Sequence, residues 1–189
     1  MFSWIIRRKI NAFQAQYDYD MSYVRELLDV SPQAAMLYSR ATSLGRFHRG
    51  LPADVYFVTK IAAVMHEDCG PCVQLGVKMA EQAGVAPATL RALLAGELES
   101  LPPDCALAVR FARAVLTRDA EAEPLREALQ AKFGKLGVVS LACALTSARI
   151  YPTMKYALGF GHACVRVTVA GKHVDTVRFP NPAGVGAAA

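Results

Sequence analysis

The sequence has no long hydrophobic run, and its charged residues are few. Its longest uncharged stretch covers residues 136–148, which is too short to cross a bilayer and suits a buried helix. The N-terminal residues place a basic cluster after a short apolar stretch and contain no small-residue cleavage site, so they do not resemble a signal peptide. We therefore expect a cytoplasmic protein without a transmembrane segment.

Positive charge is in excess but is not concentrated. The chain has 21 Lys and Arg residues against 16 Asp and Glu, a formal net charge of +5, and only residues 7–9 form a cluster of three basic side chains. Nucleic-acid-binding proteins usually gather their charge on a stripe, whereas a dispersed excess is typical of a solvated surface. The composition therefore predicts no nucleic-acid partner.

The chain has five cysteines, and an odd number without a secretion signal argues against a disulfide framework. Cys105, Cys143 and Cys164 lie in apolar stretches and are predicted to be small buried hydrophobic residues. A structural zinc site needs about four ligands, and no second CxxC or paired histidines accompany the first cysteine pair. No glycine-rich phosphate motif is present. We therefore expect neither a metal nor a cofactor.

Helical periodicity dominates the chain, and proline and glycine stand at the predicted helix ends. Ser31 is followed by a proline and starts a helix, while Gly84, Gly96 and Gly134 each end one. Pro152 is predicted to start a last helix. The stretch KLGVVSLACALTSARI, residues 135–150, is expected to be the most buried part of the chain.

Strand signals appear only near the C-terminus. Alternate valines from Val165 to Val169 precede a Gly-Lys turn and further valines, which predicts a short β-hairpin. A lone hairpin is marginally stable in water, so it must pack on the helices or on a second subunit. We predict one all-α domain with a helical lead-in over 1–50, a helical core over 51–163, and a C-terminal β-hairpin and loose tail over 164–189.

A CGPC motif places Cys69 and Cys72 around a Gly-Pro pair at the predicted start of a helix. Proline fits the first helical turn, and the free N–H groups and dipole of a helix start stabilise a thiolate. Two thiols three positions apart there can also close a disulfide. We interpret the pair as a redox dithiol; the alternatives are two neighbouring core cysteines and half of a metal site.

Three stretches that follow in order resemble the AhpD-like, carboxymuconolactone decarboxylase superfamily. They are VYFVTKIAAVMHEDCGPCVQLGVKMAEQAGV, LPPDCALAVRFARAVLTRDA and LACALTSARIYPTMKYALG, at residues 55–85, 101–120 and 141–159. The resemblance implies an all-helical homo-oligomer. Redox members are thiol peroxidases that reduce alkyl hydroperoxides, whereas another branch decarboxylates a lactone acid and lacks the dithiol.

The resemblance implies a thiol-dependent peroxidase or a dithiol–disulfide oxidoreductase that uses Cys69 and Cys72. Its substrate would be a small hydroperoxide or a protein disulfide. The alternatives are a decarboxylase-like lyase, whose activity would not need thiols, and a non-catalytic oligomeric protein of the same superfamily.

The chain departs from the redox members at two positions. Those members carry a histidine four residues after the second cysteine, where this chain has Gly76, and a glutamate about three turns before the first, where it has Phe57. In the redox members the two side chains together relay the thiol proton. The resemblance therefore assigns a redox dithiol to this chain but does not assign it the proton relay.

His66 and Glu67 are the candidate replacements for that relay. If the chain stays helical past His66, His66 and Cys69 share a face, and His66 acts as a base oriented by Glu67. The alternative is an ordinary histidine at a helix end. A carboxylate beside Cys69 would raise the pKa of its thiol and oppose the helix dipole. His162, close to Cys164, is interpreted as a loop histidine.

Overall fold

The computed structural model describes residues 2–161 and 166–177, and in them it confirms an all-α fold with a short hairpin. Two 3-10 helices, Ser43–Arg46 and Leu98–Ser100, stand between the longer elements. The α-helices and strands follow one another as α1 Phe2–Tyr17, α2 Ser22–Val30, α3 Pro32–Thr42, α4 Ala53–His66, α5 Gly70–Gln82, α6 Pro87–Ala95, α7 Pro103–Thr117, α8 Ala122–Ala157, β1 Thr168–Val169 and β2 Lys172–His173.

Helix α4 is the centre of the main core, because it packs against α5, α7 and α8. Nine of its 14 residues are buried. The prediction that residues 135–150 are the most buried stretch is wrong, since Leu136 and Val139 in α8 are 49% and 50% exposed. A helix that is uncharged on several faces does not reveal in its sequence which face is covered.

By length and composition alone, α8 is apolar enough to cross a membrane. Its most apolar window has a mean hydropathy of 1.3, and 39% of that window is buried inside the protein. Core helices of water-soluble proteins pass the same test, so this feature does not establish a membrane-spanning segment.

Helix α8 contains one break, at Gly134, and runs straight through Pro152. The predicted helix end at Gly134 is confirmed, since its φ of 69° and ψ of 178° are not helical. The predicted helix start at Pro152 is wrong. Inside a helix proline removes one backbone hydrogen bond, here the one to the Ala148 carbonyl, and α8 continues past this loss with Pro152 buried.

Replacing Gly134 with alanine is expected to destabilise the protein by about 1–3 kcal/mol. Gly134 has backbone dihedral angles that residues with a side chain rarely adopt. The space around a Cβ there is open, so the cost comes from the backbone conformation and not from a clash. Urea denaturation of Gly134→Ala measures it, with Lys135→Ala as the neighbouring exposed control. An unchanged midpoint would show that α8 can straighten through this position.

The hairpin at the C-terminus turns one residue earlier than predicted. Ala170 and Gly171 form the turn with φ of 49° and 72°, the two positive values that a type I′ turn requires. Lys172 instead pairs with Val169 across the antiparallel strands. The predicted strand residue Val165, like the tail over 178–189, lies outside the described residues.

The hairpin packs on the helices, as its small size required. The Gln74 side chain of α5 makes two hydrogen bonds to the backbone of Thr168. Its Nε2 donates to the Thr168 carbonyl at 3.2 Å, and its Oε1 accepts from the Thr168 N–H at 2.6 Å. Val167 and Val169 are buried in the main core. The hairpin is therefore anchored to the same helix that carries Cys72.

Helices α1–α3 form a second cluster of buried side chains, in which Tyr19, Tyr23 and Tyr38 are the aromatic members. This cluster contacts α5 through Leu75 and α8 through Met154, among others. The lead-in therefore lies against the helix that follows the cysteine pair.

Candidate functional site

Cys69 and Cys72 lie at the junction of α4 and α5, as the sequence predicted. Cys69 is the N-cap of α5, and Pro71 stands in its first turn. Asp68, with a φ of 50°, turns the chain between the two helices. The two sulfur atoms are joined in a disulfide, with Cα atoms 5.3 Å apart. The fold therefore brings the two thiols into bonding contact.

The cysteine pair is buried. Cys69 and Cys72 are 5% and 4% exposed and belong to the main core cluster. Solvent exposure therefore does not distinguish one sulfur as the more accessible, and anything that reacts with either atom must be small or must displace the residues above it.

His66 and Cys69 do not share a helical face, because α4 ends at His66 and the next two residues are not helical. No hydrogen bond joins His66 to either cysteine among the described residues. Glu67 does not orient His66; its carboxylate accepts a hydrogen bond from Arg149 of α8 at 2.5 Å. The condition under which His66 was to act as a base is therefore not met.

Among the described residues, the polar side chain that contacts the dithiol is Tyr19, in the connection between α1 and α2. Its hydroxyl lies 3.6 Å from Cys72 Sγ, and the residue is 4% exposed. A disulfide sulfur carries no hydrogen, so in this contact the tyrosine is the donor. Burial raises the pKa of Tyr19 well above its ordinary value, so the hydroxyl stays protonated.

Behind Tyr19 lies a buried cluster of one lysine and further tyrosines. Lys155 of α8 is 2% exposed, and its Nζ stands 5.0 Å from the centre of the Tyr19 ring and 5.8 Å from that of Tyr23. Burial lowers the pKa of Lys155, and the Asp20 carboxylate opposes that shift. The hydroxyls of Tyr23 and Tyr38 are 3.1 Å apart.

A pocket of about 250 Å³ opens beside this contact. Tyr19 and Pro71 both line it, so it reaches the residues that flank Cys72. Lys155 and Gln14 also line it, and the buried Gln14 Oε1 has no hydrogen-bond partner among the described residues. Its volume is below the usual range of about 300–1,000 Å³ for ligand pockets, which fits a small ligand.

Sequence reasoning missed Tyr19 and Lys155, which lie 53 and 83 positions away from Cys72 in the chain. The signal that was available is the density of tyrosines at positions 17, 19 and 23 of the lead-in. That pattern does not indicate that one of these tyrosines lies beside the Cys72 sulfur.

Within the part of the chain that the structure describes, no three His, Cys, Asp or Glu side chains form a group that could hold a metal ion. His162 and Cys164 lie outside the described residues. Comparison of the chain with models of protein families, with characterised proteins and with solved structures finds no match. The AhpD-like assignment therefore stays a prediction.

Proposed function

We propose that this protein is an AhpD-like thiol peroxidase whose Cys69–Cys72 pair cycles between dithiol and disulfide. The observation that carries the proposal is the disulfide at the N-terminus of α5, where the helix dipole favours a thiolate after reduction. In the chain-entropy model a bond across four residues contributes only roughly 2 kcal/mol to stability. A loop so short gains less stability from a disulfide than a longer loop does, which favours a chemical role for this one.

The proposed reaction consumes two thiols and one hydroperoxide. A thiolate attacks the terminal peroxide oxygen, so that an S–O bond forms, the O–O bond breaks and the alcohol leaves with a proton. The second thiol attacks the resulting sulfenic acid, forming the S–S bond and releasing water. An external dithiol then reduces the disulfide and is itself oxidised.

The small pocket and the burial of both sulfurs favour a small hydroperoxide over a protein disulfide. A protein partner would have to bring its own disulfide into line with a sulfur that is about one-twentieth exposed. A molecule of a few heavy atoms fits the 250 Å³ beside Tyr19 and Pro71.

The proposal includes a homo-oligomer in a reducing cytoplasm, which would supply the external dithiol. Leu136 and Val139 support the assembly, because two large apolar side chains one helical turn apart are about half exposed on α8.

The test is peroxide consumption by the reduced protein in the presence of an external dithiol. Cys69→Ser and Cys72→Ser are each expected to lower the turnover at least about 100-fold, because either change prevents the disulfide from closing. Cys143→Ser, which removes a free, partly exposed thiol, is the matched control and should retain the rate.

The proposal is wrong if neither serine variant changes peroxide consumption. Activity on a small cyclic acid that survives complete thiol alkylation would point to the lyase alternative. Slow oxidation of the pair without turnover would identify a non-catalytic protein.

A further inference from the structure

The geometry points to Tyr19 as the hydrogen-bond donor that stabilises the Cys72 thiolate, in the place of the histidine relay that this chain lacks. The inference rests on the proposed dithiol cycle and assigns Cys72 as the more acidic of the two sulfurs. The CGPC motif alone does not make this distinction, because Cys69 at the N-cap of α5 and Cys72 in its first turn both lie at the end where the helix dipole favours an anion.

The contact between Tyr19 and Cys72 is direct and enclosed. The hydroxyl is 3.6 Å from Cys72 Sγ, within the range for hydrogen bonds to sulfur, and no corresponding side-chain donor to Cys69 Sγ is present among the described residues. Both Tyr19 and Cys72 are at least nineteen-twentieths buried. A hydrogen bond to an anion is stronger where water is excluded.

Tyr19 acts in this scheme as a donor and not as a base. Its phenol remains neutral because burial makes the phenolate unfavourable. A neutral donor favours the charged form of its acceptor and so lowers the pKa of that acceptor. The Cys72 thiol therefore loses its proton more readily beside Tyr19 than it would beside a phenylalanine ring.

The strength of this contact depends on the charge of the sulfur. Hydrogen bonds to an ionised acceptor are about twice as strong as those between neutral groups, so the Tyr19 hydroxyl binds a Cys72 thiolate more strongly than a neutral thiol. The neighbouring phenol, Tyr23, has its own hydrogen-bond partner in the Tyr38 hydroxyl at 3.1 Å.

The remaining charged and titratable groups around Tyr19 come from its neighbours in the chain and from α1, α2 and α8. Lys155 approaches its ring from α8 at 5.0 Å, and Asp18 and Asp20 flank it in the chain. Tyr17, at the end of α1, lines the same pocket, and Tyr23 and Tyr151 lie close by on α2 and α8. The lysine cation favours a nearby anion and the two carboxylates disfavour it, whereas the Tyr19 hydrogen bond acts on the Cys72 sulfur directly.

The test is the pH dependence of alkylation of the fully reduced protein by iodoacetamide, followed separately at Cys69 and Cys72 by peptide mass spectrometry. In Tyr19→Phe the Cys72 titration is expected to move up by about one pH unit, which makes alkylation of Cys72 at pH 7 about tenfold slower. The Cys69 titration should move much less. Tyr17→Phe is the matched control, because its hydroxyl bonds to Gln82 and not to sulfur.

A second variant covers the case in which Tyr19→Phe does not fold. With 3-fluorotyrosine at position 19 the hydroxyl is a stronger donor, so the Cys72 titration should move down. Movement in opposite directions in the two variants is not expected from a purely structural role. Unchanged Cys72 titrations in both variants, or equal movements at Cys69 and Cys72, would overturn the assignment.

The alkylation assay needs no peroxide, so it fails independently of the proposed function. A shifted Cys72 titration in a protein that consumes no peroxide would support the role of Tyr19 and refute the peroxidase. Peroxide turnover with an unshifted titration would support the peroxidase and refute the role of Tyr19.

Discussion

A histidine introduced at position 76 is expected to destabilise the protein by about 3 kcal/mol or more, and not to complete a relay. Gly76 is buried where α5 crosses α4, and a Cβ there would lie 3.0 Å from Ile61 Cγ1. Overpacking of a core costs about 1–3 kcal/mol, and a buried imidazole without partners adds about 1–3 kcal/mol. Both costs arise where position 76 meets Ile61, so they add to each other.

Urea denaturation of Gly76→His against wild type measures this loss. Gly76→Ala is the graded comparison: its methyl group makes the same close approach, but the alanine gains up to about 1 kcal/mol of helix propensity, so a small change is expected. Ala83→His, at the exposed end of the same helix, controls for the histidine itself. If Gly76→His is as stable as wild type, α4 and α5 do not pack this closely.

Replacing Lys60 with methionine is expected to stabilise the protein at neutral pH by up to about 3 kcal/mol. Burial lowers the pKa of Lys60 to about 8, and no carboxylate pairs with it in the described residues. Its Nζ lies beside Gly45, 3.1 Å from where a Cβ of that residue would be. A decrease from 10.5 to about 8 corresponds to about 3 kcal/mol at 1.36 kcal/mol per pH unit.

The sign of the pH dependence follows from proton binding. Between pH 8 and pH 10.5 the unfolded chain holds a proton on Lys60 that the folded protein has lost, so stability rises with pH in this window. Below pH 8 the full penalty is present, and above pH 10.5 it is gone. The advantage of Lys60→Met over wild type should therefore be large at pH 7 and small at pH 10.

Urea denaturation of both proteins at pH 7 and at pH 10 gives the difference directly, and groups common to both cancel in the comparison. Lys135→Met, at an exposed position of α8, controls for the loss of a surface lysine and should show no such trend. A constant difference between Lys60→Met and wild type at both pH values would contradict the prediction.

The elements that the sequence predicted correctly depend on chemistry between near neighbours. Ser31 caps α3 by accepting the Ala34 N–H at 3.2 Å, Gly96 takes the left-handed conformation that ends α6, and Cys69 with Pro71 opens α5. Each signal lies within four residues of the feature that it specifies, so the local pattern was sufficient.

The parts that could not be predicted depend on contacts between distant residues. Tyr19 meets Cys72 across 53 positions, and Arg149 binds Glu67 across 82. Neither contact has a periodic pattern, because each follows from how the lead-in and α8 dock on the junction of α4 and α5. The fold class was therefore predictable, and the partners of the dithiol were not.

The hairpin beyond α8 has a practical consequence for how this chain is shortened. A truncated chain that ended with α8 would lack the backbone groups of Thr168 that hydrogen-bond to the Gln74 side chain. Gln74 lies only two positions after Cys72. It would also remove the Val177 N–H that donates to Leu94 of α6. Measurements on such a fragment would describe an altered cysteine helix, so enzymology belongs on the intact chain.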